Sequence, residues 1–236
     1  MVRTLKLGSL YLDGKPTAPE IEYQPGQIIS FGDSVSDMAI NWVPVNGLLI
    51  ADRCLLTNIR WDDLDAQGLV LGTEVDVQGF RFKIRLLKVG SEGDNLNEWD
   101  AALDAVGEDD GLWHWKDEFF WGQESVDKDG AYRANRGCYS PRLWNCDSSS
   151  YRDASLGFRP TLEPLPTDLS DLEHGQEVIA IGCDGCVVGN LINMTQYDLL
   201  LRTKADKVTG VPSFATDMQD GTLAVDRRGI LSIVAA

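Results

Sequence analysis

The chain has 236 residues, of which 43% are apolar and 25% charged, a balance typical of folded globular proteins. Its net charge of -16 opposes non-specific binding to nucleic acid or anionic membranes. There is no apolar run of membrane-spanning length and no signal-peptide core, and five scattered cysteines favour a reducing compartment. We therefore expect a cytoplasmic or virion-associated protein without membrane contact.

Strand patterns dominate the first 165 residues. Apolar runs with turn signals predict strands at residues 47–56 and 68–90, with a short helix between them at 61–68. The clearest helix covers residues 97–107, where Asn97 can cap the start and Gly107 can end it. The aromatic segment 112–124, including His114, is typical of core packing.

A proline-punctuated acidic segment at residues 163–176 predicts a domain boundary. All seven tryptophans precede this segment, and five short strand patterns follow it. We predict one domain at residues 1–165 and a small all-β module at residues 166–236. The predicted fold class is α+β with few helices.

Short motifs in the first domain carry a family resemblance. The "RG" pair at Arg136 and Gly137, the "GFR" ending at 157–159 and the "NEWDAALD" helix resemble the C-type-lectin-like fold in its formylglycine-generating-enzyme branch. We expect Gly137 and Gly157 where the backbone has positive φ or a close neighbour, and Phe158 in the core. Arg136 and Arg159 are expected to be buried donors to carboxylates.

In formylglycine-generating enzymes paired cysteines bind copper, and in the related sulfoxide synthases three histidines bind iron. This chain has only two histidines, and Cys138 and Cys146 do not fall at the copper-pair positions. We therefore predict no catalytic residue, no metal and no cofactor. The alternative is an oxidase of the formylglycine-generating kind that uses Cys138 or Cys146.

Variable proteins of diversity-generating retroelements share this fold and vary just before the "GFR" ending, at codons of the form NNC. Lys, Glu, Gln and Met, which NNC codons cannot encode, make up 31 of the 236 residues but are absent from residues 129–162. Trp144 cannot be encoded by NNC either, so it must be a fixed residue if this region is diversified. The alternative is a lectin-like loop whose polar residues only satisfy turns.

We predict that residues 138–156 form an adaptable surface that binds a protein or a glycan. The predicted contact residues are Tyr139, Arg142, Leu143, Trp144, Asn145, Asp147, Ser149, Tyr151 and Asp153.

The C-terminal module resembles the Sm-like fold of small RNA-binding β-barrels, through Gly185, Gly189, "YDLLL" and "RRGILSIV". The positions that match the RNA site are Gln196, Tyr197, Arg227 and Arg228. However, Thr195 replaces the usual Asp, and the module has ten acidic and five basic residues. We expect it to form homo-oligomers through its edge strands or to dock on the first domain; an RNA-binding, ring-forming protein is the alternative.

Overall fold

The computed structural model describes residues 4–94, 96–203 and 211–236. The strands before the predicted boundary are β1 Leu5–Leu12, β2 Lys15–Thr17, β3 Ile21–Glu22, β4 Ile29–Gly32, β5 Ala39–Val45, β6 Leu48–Ala51, β7 Leu56–Thr57, β8 Thr73–Val77, β9 Phe80–Leu86, β10 Phe119–Ser125, β11 Tyr132–Gly137, β12 Ser140–Ser148, β13 Leu156–Phe158 and β14 Pro160–Pro164. Those after it are β15 Glu177–Ile181, β16 Cys186–Met194, β17 Asp198–Thr203, β18 Ala215–Asp217, β19 Thr222–Asp226 and β20 Ser232–Ala235.

Helices are few and short. They are α1 Trp61–Asp65, α2 Glu98–Val106 and α3 Asp110–Trp113, with 3-10 turns at Leu169–Asp171 and Arg227–Gly229. The predicted preponderance of strands and scarcity of helices is confirmed. None of the helices within the described residues has the length and apolar character needed to cross a bilayer.

The strands form three sheets. The first has the order β2-β1-β5-β6-β14-β9-β8, with β4 also paired to β1. The second has the order β12-β11-β10-β13-β7-β3, and the third has the order β18-β19-β17-β16-β15-β20. Strands β13 and β14 follow each other directly, so the "GFR" segment joins the second sheet to the first.

Helix α2 forms where the sequence predicts it. The Asn97 side chain accepts the Asp100 amide N–H at 2.9 Å, and the helix ends at Gly107, whose φ is 89°. Its apolar face buries Trp99, Ala102 and Leu103 in a core cluster that also contains residues of the second sheet. Helix α1 is shorter than the predicted 61–68, because the chain turns after Asp65.

The backbone expectations for the "RG" and "GFR" motifs are met in two different ways. Gly137 has a φ of 109°, whereas Gly157 is needed for space, since a Cβ there would lie 2.5 Å from the Leu56 carbonyl oxygen. Phe158 is fully buried, as expected.

The third sheet is buried on both faces near β15. Val178 and Ala180 face the sheet's own core cluster, whereas Ile179 and Ile181 belong to the cluster of the first sheet. This follows from the two-residue period of a strand. The Thr167 amide also donates to the Ile233 carbonyl of β20 at 2.9 Å. The module therefore packs against the rest of the chain, while the boundary at 165 remains a prediction.

Candidate binding surface

The predicted surface is built on the β11–β12 hairpin. Its turn is formed by two successive residues of positive φ, Gly137 at 109° and Cys138 at 69°. Past the turn, Asn145 lies opposite Asn135, and Asp147 lies opposite Arg133. Because β12 is the outermost strand of the second sheet, its side chains form the margin of that sheet.

Strand alternation divides the predicted contact residues into two sets. Leu143, Asn145 and Asp147 share one face of the sheet with Asn135, and Arg142 and Trp144 share the other. The Asp147 carboxylate accepts from Asn135 at 2.9 Å and from Asn145 at 3.1 Å, as this register requires. The nine predicted residues therefore do not form one continuous contact surface.

The second set, Arg142 and Trp144, forms contacts within the chain. The Trp144 indole N–H donates to the Gly90 carbonyl at 3.0 Å, and its ring packs on the α2 core cluster. Arg142 forms ion pairs with Asp104 at 2.7 Å and with Glu108 of the α2–α3 segment. These carboxylates raise the pKa of Arg142. Arg142 and Trp144 thus anchor β12 to α2 and its core cluster.

The loop after β12 is held against α1. The Ser149 amide donates to the Ala131 carbonyl at 2.8 Å, and the Ser149 carbonyl accepts from the Asp62 amide at 3.1 Å. Arg152 reaches Asp63 of α1 at 3.4 Å. Asp153 accepts the Ser155 amide and hydroxyl at 2.8 and 2.6 Å, which lowers the pKa of Asp153. The loop is therefore a tethered structure whose Tyr151 side chain remains outside.

Large side chains are exposed along this side of the hairpin. Tyr139 is 81% exposed and its ring meets Phe119 edge to face, while Tyr151 is 45% and Leu143 is 36% exposed. Together with Asn145 and Asp147, they form what we call the outer face: Tyr139, Leu143, Asn145, Asp147 and Tyr151. Tyr132, which is outside the predicted set, is 49% exposed and lies opposite Ser148, on the same face as Trp144 and not on the outer face. Tyr132 stands at the first position of β11, and this position was the only signal in the sequence that could have indicated its exposure.

Comparison with known protein families, curated proteins and solved structures finds no match. Any assignment of function therefore rests on the geometry of this chain.

The buried arginines of the two motifs have different partners. Arg136 bonds to the Asp100 carboxylate at 2.8 Å, as expected. Arg159 instead donates to the main-chain carbonyls of Asp52 at 3.0 Å and His114 at 3.2 Å, so the predicted carboxylate bond is wrong for this residue. Burial lowers the pKa of Arg159, although the nearby Cys54 and Glu118 oppose this effect.

The cysteines provide little support for the oxidase alternative. Burial raises the pKa of Cys54, Cys138 and Cys146, so these thiols stay protonated near neutral pH, whereas the thiolate is the reactive and metal-binding form. Within residues 4–94, 96–203 and 211–236, no group of three or more His, Cys, Asp or Glu side chains is arranged to hold a metal ion. A His114 ring nitrogen lies 2.9 Å from the Arg53 guanidinium.

The C-terminal module brings three of the four RNA-site positions together. The Arg227 guanidinium donates to the Thr195 carbonyl at 2.8 Å and to the Gln196 carbonyl at 3.4 Å, and its amide donates to Tyr197. Arg228 is turned to Asp226, at 2.8 Å, and lowers the pKa of that carboxyl to about 2. Both guanidinium groups are thus already used in bonds within the chain.

The edges of the third sheet offer few sites for strand pairing. One edge is β18, which has only three residues. At the other edge, the Ile233 carbonyl of β20 is occupied by Thr167, whose hydroxyl also accepts the Ala235 amide at 3.1 Å. Short and covered edges oppose edge-to-edge association.

Proposed function

We propose that this chain is a non-enzymatic binding protein that presents its outer face to a protein or glycan ligand. The observation that carries the proposal is the exposure of Leu143 on β12, and of Tyr139 before and Tyr151 after that strand, while the opposite face of β12 is anchored. Tyrosine supplies contact area at low entropic cost, and Asn and Asp adapt their hydrogen bonds to the ligand. A C-type-lectin-like scaffold of the formylglycine-generating-enzyme branch is part of the proposal.

A second, more specific proposal is that a diversity-generating retroelement varies the residues of the outer face. It is supported by the absence of Lys, Glu, Gln and Met from residues 129–162 and by the anchored position of Trp144, which an NNC codon cannot encode. The encoding DNA tests it: we expect AAC or another NNC codon at the outer face, a nearby near-repeat and a reverse transcriptase gene, in a bacterial or phage genome. Without the repeat, this finer proposal fails and the binding proposal stands.

Binding is tested with arrays of glycans and proteins. The variant Tyr139→Ser/Leu143→Ser/Tyr151→Ser should lose the ligands that the wild-type chain retains. A matched control replaces three exposed apolar side chains elsewhere, Ile28→Ser/Leu71→Ser/Met218→Ser, which are 66%, 69% and 52% exposed. Equal loss of binding in both variants would contradict the assignment of binding to the outer face.

RNA binding is the second candidate, because Gln196, Tyr197 and Arg227 meet at one turn. The strand order β20-β15-β16-β17-β19 supports the Sm-like resemblance, and β18 lies outside β19. The test is binding of oligo-uridine, together with light scattering to detect a ring, for wild type and for Arg227→Ala/Arg228→Ala. A monomer without RNA affinity would end this candidate. Multimerisation through the sheet edges stays outside the main proposal because those edges are short or covered.

A further inference from the structure

A cleft of about 960 Å³ lies on the other side of β12 from the outer face. Its walls are the β5–β6 hairpin, α2 and the segment that begins at Gly90. Gly90 lines the cleft and accepts the indole N–H of Trp144, which points away from the outer face. The cleft is therefore separate from the surface of the proposed function.

The floor of the cleft is aliphatic. Val45 and Ile50 are fully buried beneath it, Leu48 packs partly buried against the same core cluster, and Ala101 of α2 is exposed beside them. Leu96, which is 96% exposed, also lines the cleft. An aliphatic floor of this kind suits an unbranched hydrocarbon chain.

The rim of the cleft is acidic. Among the described residues that line it, five are acidic and two basic. Arg85 pairs with both Glu98 at 2.8 Å and Glu163 at 2.6 Å, Arg142 pairs with Asp104 at 2.7 Å, and Lys88 also lines the cleft. Asp94 and Glu124 take part in none of these pairs, and carboxylates outnumber basic groups along the rim.

Asp94 and Glu124 flank the same turn. The Glu124 carboxylate accepts the Val89 amide at 3.0 Å, and a Cβ at the adjacent Gly90 would lie 3.0 Å from the Asp94 carbonyl. Neither carboxylate forms an ion pair with a basic side chain in the part of the chain that the structure describes. Arg136 interacts with Glu124 from a longer distance and Lys88 lines the same cleft, but a cation entering over the floor still meets an excess of negative charge.

We propose that this cleft binds a lysine- or arginine-bearing segment of a partner protein. The aliphatic stem of the basic side chain covers Leu48 and Ala101, and its charged group lies at Asp94 and Glu124. Long basic side chains bury their stems on apolar surface while their charge stays hydrated. The exposed Leu96 favours a peptide over a free polyamine, because only a peptide brings apolar neighbours to contact it.

The test uses a fluorescent peptide of alternating Lys and Leu, titrated with the full chain at low ionic strength and followed by anisotropy. The variant Asp94→Asn/Glu124→Gln keeps the acceptors for the Leu96 and Val89 amides but removes both charges. We expect about fivefold weaker binding, the effect of two partly exposed charge pairs. The control Asp168→Asn/Glu173→Gln makes the same charge change at exposed positions in the segment between the sheets and should bind like wild type.

A second pair of variants separates the cleft from general attraction to an acidic protein. Ala101→Arg fills the cleft and should abolish binding, while Ala105→Arg adds the same charge at an exposed position one turn further along α2 and should not. Equal binding by both variants, equal losses in both charge variants, or no binding by wild type would overturn the proposal. Spermine binding as tightly as the peptide would also overturn it, in favour of a free polyamine.

Discussion

Arg136 of β11 and Asp100 of α2 form an ion pair of 2.8 Å in which both side chains are buried, at 4% and 1% exposure. Arg136 also donates to the Val89 and Arg142 carbonyls, so one guanidinium joins the hairpin to α2. Burial lowers the pKa of Arg136, and Asp100 opposes that effect. The outer face of β12 thus depends on an internal anchor.

Replacing Arg136 should therefore be costly. For Arg136→Met we expect a loss of about 3 kcal/mol in the free energy of unfolding, because the buried Asp100 charge is left with the Asn97 amide at 2.6 Å and Arg142 at 3.5 Å. Urea denaturation measures this loss. The control Arg81→Met removes an ion pair with Glu74 whose side chains are 65% and 66% exposed, and should cost at most about 1 kcal/mol. Similar losses for the two variants would contradict the anchoring role.

Neighbouring residues of β12 should respond differently to truncation. Trp144→Ala removes packing against the α2 cluster and the bond to Gly90, and should cost about 2 kcal/mol or more. Leu143→Ala, on the outer face, should change stability by no more than about 0.5 kcal/mol. Thermal unfolding of the two variants tests this difference. A larger loss for Leu143→Ala would mean that the two faces are assigned the wrong way round.

Glu118 should give the fold a specific pH dependence. Burial raises the pKa of Glu118 above its ordinary 4.5, with Arg159 opposing in part. The folded state therefore binds this proton more tightly, so the stabilisation is complete below pH 4.5 and is lost as the pH rises through the raised pKa. Glu118→Gln should accordingly gain stability relative to wild type across that window.

The measurement is the free energy of unfolding of wild type and Glu118→Gln at several pH values from 4 upward. Glu173→Gln, an exposed glutamate in the segment between the sheets, provides a control whose difference from wild type should stay flat. A flat difference for Glu118→Gln as well would show that its carboxyl titrates normally.

The C-terminal module should stabilise the first 165 residues. Ile179, Ile181, Val188 and Val234 lie in the core cluster of the first sheet, so a fragment of residues 1–165 exposes the surface that they cover. We expect the fragment to bind a hydrophobic dye and to melt below the full chain. In the full chain, Ile181→Ala should cost about 2–5 kcal/mol. A fragment as stable as the full chain would show two independent units.

Local sequence patterns predicted the helices and strands better than they predicted the binding surface. The cap at Asn97 and the glycine at 107 define α2, and the abundance of strands follows from the apolar runs. The two sets of residues on β12 could not be separated, because side-chain direction depends on the register with β11 and on a bulge near Gly137. The Arg159 carbonyl partners come from residues more than 40 positions away, which no local pattern reports.

The most direct test of the central claim is selection from a library with NNC codons at the five outer-face positions. The library is displayed and selected against a protein target unrelated to the chain. It should yield specific binders whose melting temperatures match that of the wild-type chain. A library of equal size at exposed positions of the β8–β9 hairpin and its approach, Leu71, Thr73, Glu74, Asp76 and Arg81, should yield far fewer. Equal enrichment from both libraries, or outer-face clones that fail to fold, would contradict the claim.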